Sequence, residues 1–247
     1  AALVGYLPAG FPTVPKSIEV FETMVANGCD IVEVGIPYSD PVMDGPTIQA
    51  AADTALRAGA RVRDVFTVVE KVSAAGGKAV VMTYWNLVMH YGVDAFARDL
   101  AAAGGLGIIT PDLIPDEAGA WIEASDAHDL DRIFLLAPSS TEERIASTVA
   151  ASRGFVYAAS TMGVTGARDA VSSAAPELTE RIRRHSDIPV GVGLGVRSGA
   201  QAAEIAQYAD AVIVGSALVT AVDNGLGAVA ELTSELAEGV RSASLAS

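Results

Sequence analysis

The chain has 247 residues, 51% of them hydrophobic and 6% aromatic, enough to bury a core the size of one large α/β domain. Thirty acidic residues against sixteen Lys and Arg give a formal net charge of −14, and with no dense basic run this excludes a nucleic-acid surface and anionic membranes as partners. A single cysteine, Cys29, forms no internal disulfide, and His90, His128 and His185 lack ligand spacing, so a reducing cytoplasm and no metal are expected.

In chain order, eight short β-rich runs are predicted at 2–7, 30–36, 78–84, 106–110, 131–137, 154–158, 189–194 and 211–215. The first opens the chain without a preceding methionine, so an upstream segment is expected. Helical periodicity follows each run. In the first such segment Ile18, Phe21 and Val25 recur at spacings of three and four, which makes one apolar stripe. Polar caps are expected at Thr13, within Ser140-Thr-Glu-Glu143, and at Ser198. No apolar stretch is long enough to span a bilayer. Eight strand-then-helix units with no linker predict a single (β/α)8 TIM barrel over 1–247, with its chemistry at the C-terminal ends of the strands.

The second run carries an anomaly. Glu33 lies within Ile31-Val-Glu-Val-Gly-Ile36, and alternation sets Ile31, Glu33 and Gly35 on one face and Val32, Val34 and Ile36 on the other. Both faces are apolar, so an acid sits in a core strand. A lone carboxylate there costs several kcal/mol unless it is protonated, paired or working, which raises its pKa and suits it to general acid-base chemistry. A bland alternative is a structural acid paired with a buried cation, and the nearby strands offer few. Asp44, from the connection at 37–47, faces the same pocket in a different backbone setting, so the two acids are expected to titrate apart. Asp40 and Asp44 also read as ordinary Asp-Pro and Asp-Gly turn formers.

The connection at 159–175 is rich in small and polar residues, as either a mobile lid or a plain surface loop would be. The seventh and eighth runs end in Gly191-Val-Gly-Leu-Gly195 and Val214-Gly215-Ser216. On a barrel those two ends are where backbone N–H groups and the first turn of a helix bind phosphate. A dinucleotide is the competing reading of the glycines, but no downstream ribose-binding acid supports it. Tyr6, Tyr84, Tyr157, Met82, Ile109, Leu194 and Ile213 lie near strand ends and wall a flat apolar pocket. The ligand this suggests has an aromatic part, a hydroxylated chain and a terminal phosphate.

Taken together, Gly5-Tyr-Leu-Pro-Ala-Gly-Phe-Pro12, Val32-Glu-Val-Gly-Ile-Pro-Tyr-Ser-Asp-Pro-Val-Met-Asp-Gly-Pro-Thr-Ile-Gln49, Met82-Thr-Tyr-Trp-Asn86, Pro111-Asp-Leu113, Gly163-Val-Thr-Gly166, Val192-Gly-Leu-Gly195 and Val214-Gly-Ser216 resemble the alpha subunit of tryptophan synthase, essentially end to end. The resemblance implies a lyase that cleaves indole-3-glycerol phosphate to indole and glyceraldehyde 3-phosphate in tryptophan synthesis, without a cofactor of its own. It implies Glu33 as the proton shuttle and Asp44 as the group that holds the indole N–H. Tyr157 would line the indole site, Gly166, Gly195, Gly215 and Ser216 would hold the phosphate, and Thr165 would close near Asp44. It further implies a beta subunit carrying pyridoxal phosphate, joined in an alpha-beta-beta-alpha complex, with Asp40 on the partner-facing surface. The family's opening helix is missing from the chain as given. The competing functions are another phosphate-binding barrel, such as a sugar-phosphate isomerase or aldolase, and a regulatory subunit without catalysis. A Schiff-base aldolase needs a strand lysine at the C-terminal rim, whereas Lys78 falls at the opposite end.

Overall fold

The computed structural model describes residues 1–159, 174–193 and 195–243. Eight parallel strands, β1 (Ala2–Pro8), β2 (Ile31–Gly35), β3 (Ala79–Met82), β4 (Gly107–Thr110), β5 (Asp131–Leu136), β6 (Val156–Ala159), β7 (Val190–Gly193) and β8 (Ala211–Val214), pair in sequence order. β1 closes the barrel on β8, with Val4 opposite Ile213. All eight predicted runs are strands, shortened by a residue or two at several ends.

Among the described residues the outer layer comprises α1 (Val14–Ala26), α2 (Pro46–Arg57), α3 (Asp64–Ala74), α4 (Trp85–Tyr91), α5 (Val93–Ala102), α6 (Gly119–Ala127), α7 (Glu142–Ala151), α8 (Ala174–Arg183), α9 (Gly199–Ile205), α10 (Ser216–Val222) and α11 (Leu226–Ser242). Thr13 and Ser198 cap α1 and α9 through their side chains, and Thr141 caps α7, one residue beyond the start of the predicted capping stretch. The even alternation expected from the sequence is broken after β2, β3 and β8, where two helices follow one strand. Gly92, at a φ of 101°, turns the chain between α4 and α5, and Gly225, at 89°, leads into α11. Side chains other than glycine rarely adopt that left-handed region.

Two apolar layers result. Val4, Val80, Ile109, Ile133, Phe155 and Ile213 fill the barrel, and a larger shell packs the helices on its outside. Phe21, Phe96 and Trp121 anchor that shell from α1, α5 and α6, all with no exposed surface. At the N-terminal end, Asp30 and Asp210, just before the two strands that flank β1, do the same work. Each accepts an N–H at the start of the preceding strand, from Leu3 at 2.8 Å and Val190 at 2.9 Å, and each pairs with an arginine, Arg241 and Arg183. No described helix is long and apolar enough to cross a membrane.

Candidate active site

Glu33 occupies the middle of β2, opposite Tyr6 on β1 and Val80 on β3, and alternation with inward Ile31 turns it into the barrel. It is 1% exposed, and its Oε1 has no hydrogen-bond partner. Among the described residues it pairs with no Lys, Arg or His. Burial, with the Asp44 charge second, pushes its carboxyl up to about 8.

Asp44 arrives from the segment between β2 and α2. Its N–H closes a turn on the Pro41 carbonyl at 3.0 Å, and its own carbonyl accepts from Gln49 Nε2 at 2.8 Å. Gly45 and Pro46 then start α2, with proline at a position whose N–H would be unbonded in any case. The carboxyl is 8% exposed. Burial raises it to about 6, and a hydrogen bond from the Tyr84 hydroxyl holds it back. At pH 7 Glu33 therefore keeps a proton while Asp44 is mostly ionised.

Three phenols enclose the pair. Tyr6 and Tyr157, on β1 and β6, are pushed upward by burial first and by both acids next, so both rings face the acids and stay protonated. Tyr84 ends the β3 connection and begins α4. Its hydroxyl accepts the Met43 N–H at 3.0 Å, and its ring lies 5.1 Å from that of Tyr38. Met82, Ile109 and Ile213 pack within the apolar cluster that fills the barrel.

One strand beyond Tyr6, at the end of β8, Gly215 precedes α10, and Ser216 begins it, 8% exposed. A β-carbon on Gly215 would lie 3.5 Å from both Tyr6 and Ile48, so the end of β8 and the acid pair share one mouth. Gly195 follows β7 at a φ of 67°. Asp40 stands apart from this pocket. It is exposed, accepts from the Ser39 hydroxyl at 2.6 Å, and neighbours Val42, 75% exposed, and Met43. Thr165, Gly166 and Leu194, with 160–173 of the expected lid, lie outside the described residues; Ala159 and Ala174 belong to β6 and α8 rather than to that loop.

Asp112 escaped the residue-level reading. Its carboxylate accepts the Trp85 N–H at 2.9 and 3.2 Å and so fixes the start of α4, directly beside Tyr84. An acid 27 residues from its partner leaves no local signal. Among the described residues no three His, Cys, Asp or Glu side chains come together as metal ligands.

Residues 1–244 match the family described as tryptophan synthase alpha chain. The chain belongs to this family. The alpha chain of Nocardia farcinica is 74% identical over 247 residues, covering 100% of this chain and 93% of that one. That of Mycobacterium tuberculosis H37Rv is 72% identical over 241 residues, 98% and 89% of the two chains. A solved structure of Mycobacterium tuberculosis tryptophan synthase superposes with a TM-score of 0.95 at 70% identity, over 98% of this chain and 93% of that one. Membership makes the protein a lyase of tryptophan biosynthesis.

Proposed function

We propose that this barrel cleaves indole-3-glycerol phosphate to indole and glyceraldehyde 3-phosphate by a retro-aldol step, with Glu33 and Asp44 dividing the proton traffic. The observation that carries the reading is the unpaired Glu33 carboxyl, raised to about 8, beside Asp44, raised only to about 6. Cleavage needs a donor and an acceptor in one pocket at neutral pH, and this pair supplies both.

Protonated Glu33 gives its proton to C3 of the indole ring. The ring nitrogen's electrons move toward C2, and the resulting iminium N–H is held by the Asp44 carboxylate. Glu33, now ionised, takes the proton of the adjacent glycerol hydroxyl. The oxygen's electrons form the aldehyde carbonyl as the bond from C3 to the side chain breaks. That bond's pair returns to the ring and restores neutral indole, and Glu33 ends protonated as it began. Holding both charges in a dry pocket, without water to reorganise, favours the transition state over the bound substrate.

Tyr6 and Tyr157 wall the indole. The N–H groups at Gly195, Gly215 and Ser216 hold the phosphate, and the resemblance assigns phosphate, ring and Asp44 contacts to Gly166, Leu194 and Thr165 as well. The chain works as one domain in the cytoplasm. Asp40, Val42 and Met43 support a partner face for a beta subunit in an alpha-beta-beta-alpha complex, with pyridoxal phosphate on that partner and none here. Incubating the chain with indole-3-glycerol phosphate and following indole, with and without a beta subunit, tests the reading. Release of indole is expected in both conditions and faster with the partner. No indole in either condition would mark a regulatory subunit instead.

A further inference from the structure

We infer that Asn224 is a site of spontaneous deamidation, at which the Gly225 backbone nitrogen closes on the Asn224 side-chain amide and releases ammonia, while the fold protects the second Asn-Gly pair, Asn27-Gly28.

The chain has three asparagines, and two of them, Asn27 and Asn224, precede a glycine. That order decides the chemistry. Loss of the Gly225 N–H proton lets the nitrogen form a bond to Cγ of Asn224. The bond from Cγ to the amide nitrogen breaks, ammonia leaves with the proton, and a five-membered succinimide remains. Water then opens the ring at either carbonyl and leaves aspartate or isoaspartate, so the balance is one water consumed and one ammonia released. A β-carbon on the attacking residue would crowd ring closure, and glycine has none. Either product adds a negative charge to a chain already at −14, and isoaspartate also lengthens the backbone between α10 and α11 by one carbon.

The two pairs occupy equivalent places, each near the C-terminal end of a helix, α1 and α10. Each glycine N–H bonds to the carbonyl three residues earlier, Gly28 to Val25 at 3.3 Å and Gly225 to Val222 at 3.0 Å. Each glycine also has a positive φ, 100° and 89°. In both, that last turn must open before the nitrogen can react.

Their surroundings differ. The Asn27 amide donates to the Thr23 carbonyl at 2.8 Å, and its oxygen accepts from the Ser234 hydroxyl at 3.4 Å. The Gly28 carbonyl accepts from Arg241 at 3.0 Å, and a β-carbon at Gly28 would lie 3.0 Å from Ala237. Ser234, Ala237 and Arg241 all belong to α11, which covers the pair. Asn224 is exposed, and among the described residues its side chain makes no hydrogen bond. β-Carbons built at Gly225 and Gly227 would meet nothing within 4 Å. On the inner side, Gly225 and Leu226 border an apolar cleft of about 240 Å³ shared with Pro12, Val20 and Val229, so the connection has room to rearrange. Ring closure therefore costs Asn27 two side-chain hydrogen bonds that Asn224 does not have. At the usual net strength of a protein hydrogen bond, these make Asn27 slower by about tenfold or more.

The test holds the full chain at mildly alkaline pH, which promotes loss of the glycine proton, in buffer and in urea. Proteolytic peptides are followed over time by mass spectrometry, with aspartyl and isoaspartyl forms separated by chromatography. In the folded protein the Asn224 peptide is expected to show amide-to-acid conversion about tenfold faster than the Asn27 peptide, or more. In urea the two rates should converge, because the pairs share one chemistry once the fold is gone. Ser234→Ala removes one bond from Asn27 and should narrow the gap in the folded state, and Asn224→Ser should abolish the fast product. Equal rates in the folded protein, a faster reaction at Asn27, no reaction at Asn224 while the urea sample reacts, or a gap that persists in urea would overturn the inference. None of these outcomes depends on the reaction proposed above.

Discussion

The ring of Tyr6 fills the space that a side chain at Gly35 would need: a β-carbon built there would lie 2.5 Å from the Tyr6 hydroxyl and 2.6 Å from the ring edge. Gly35 is the second inward position after Ile31 and brackets Glu33 on the rim side, so its missing side chain lets a phenol lie over the acid. Gly35→Ala is expected to push Tyr6 toward the mouth. Overpacking of this kind costs about 1–3 kcal/mol, and indole release should fall with it. Denaturant midpoints and turnover measured together check this; an alanine variant unchanged in both would mean that Tyr6 moves freely.

Glu33→Gln and Asp44→Asn keep shape and remove proton chemistry. Each is expected to lose at least about a hundredfold in kcat while KM changes by no more than a few fold, since both groups act on the transition state more than on bound substrate. Steady-state kinetics on indole-3-glycerol phosphate decide it, and near-normal kcat in both variants would remove the assigned roles.

Stability should also report the buried acid. The folded pKa of Glu33, about 8, stands above its ordinary value of 4.5. The folded state therefore binds the proton more tightly than the unfolded chain. Its contribution is fully present below pH 4.5 and is lost as pH rises through about 8, at a slope of at most about 1.4 kcal/mol per pH unit. Glu33→Gln does not titrate, so its stability relative to the parent should climb across that window and level off above it. Urea unfolding of both proteins at a series of pH values measures the difference, and parallel curves would show a solvated carboxyl.

Arg132 offers a control far from the chemistry. It enters β5 near its N-terminal end and is 8% exposed. Nη1 donates to the Ser125 hydroxyl at 2.8 Å and to Asp126 at 2.5 Å, and Nε donates to the Ala151 carbonyl at 2.9 Å. It thus joins α6 and α7 to the barrel. Arg132→Ala removes the donor to the Ala151 carbonyl and to the buried Ser125 hydroxyl, which keeps its own bond to the Ile122 carbonyl, and should cost roughly 1–3 kcal/mol. Indole formation per folded molecule should stay at the parent value, because the N-terminal face of a barrel serves stability. Loss of specific activity in a stably folded variant would contradict that separation.

The barrel itself was legible in the amino-acid order. Strand and helix periodicities are local, so eight apolar runs such as Ile31–Gly35 and Ala211–Val214, each followed by a 3.6-residue pattern, determine the class of fold without any long-range information. Glu33 stood out for the same reason, as one charge in an apolar alternation. The paired helices after β3 and β8 are not separable in the sequence, because one turn at Gly92 or Gly225 interrupts the periodicity too briefly to register.

What only closure of the sheet decided is how distant segments meet. Tyr84 reaches Met43 across 41 positions, and Asp112 reaches Trp85 across 27. Tyr6 comes to rest over Gly35 through the pairing of β1 with β2. Side-chain identity limits which hydrogen bonds a residue can make. Which ones it does make depends on strand register and on helix ends brought to a common rim, and both are properties of the closed barrel rather than of any segment within it.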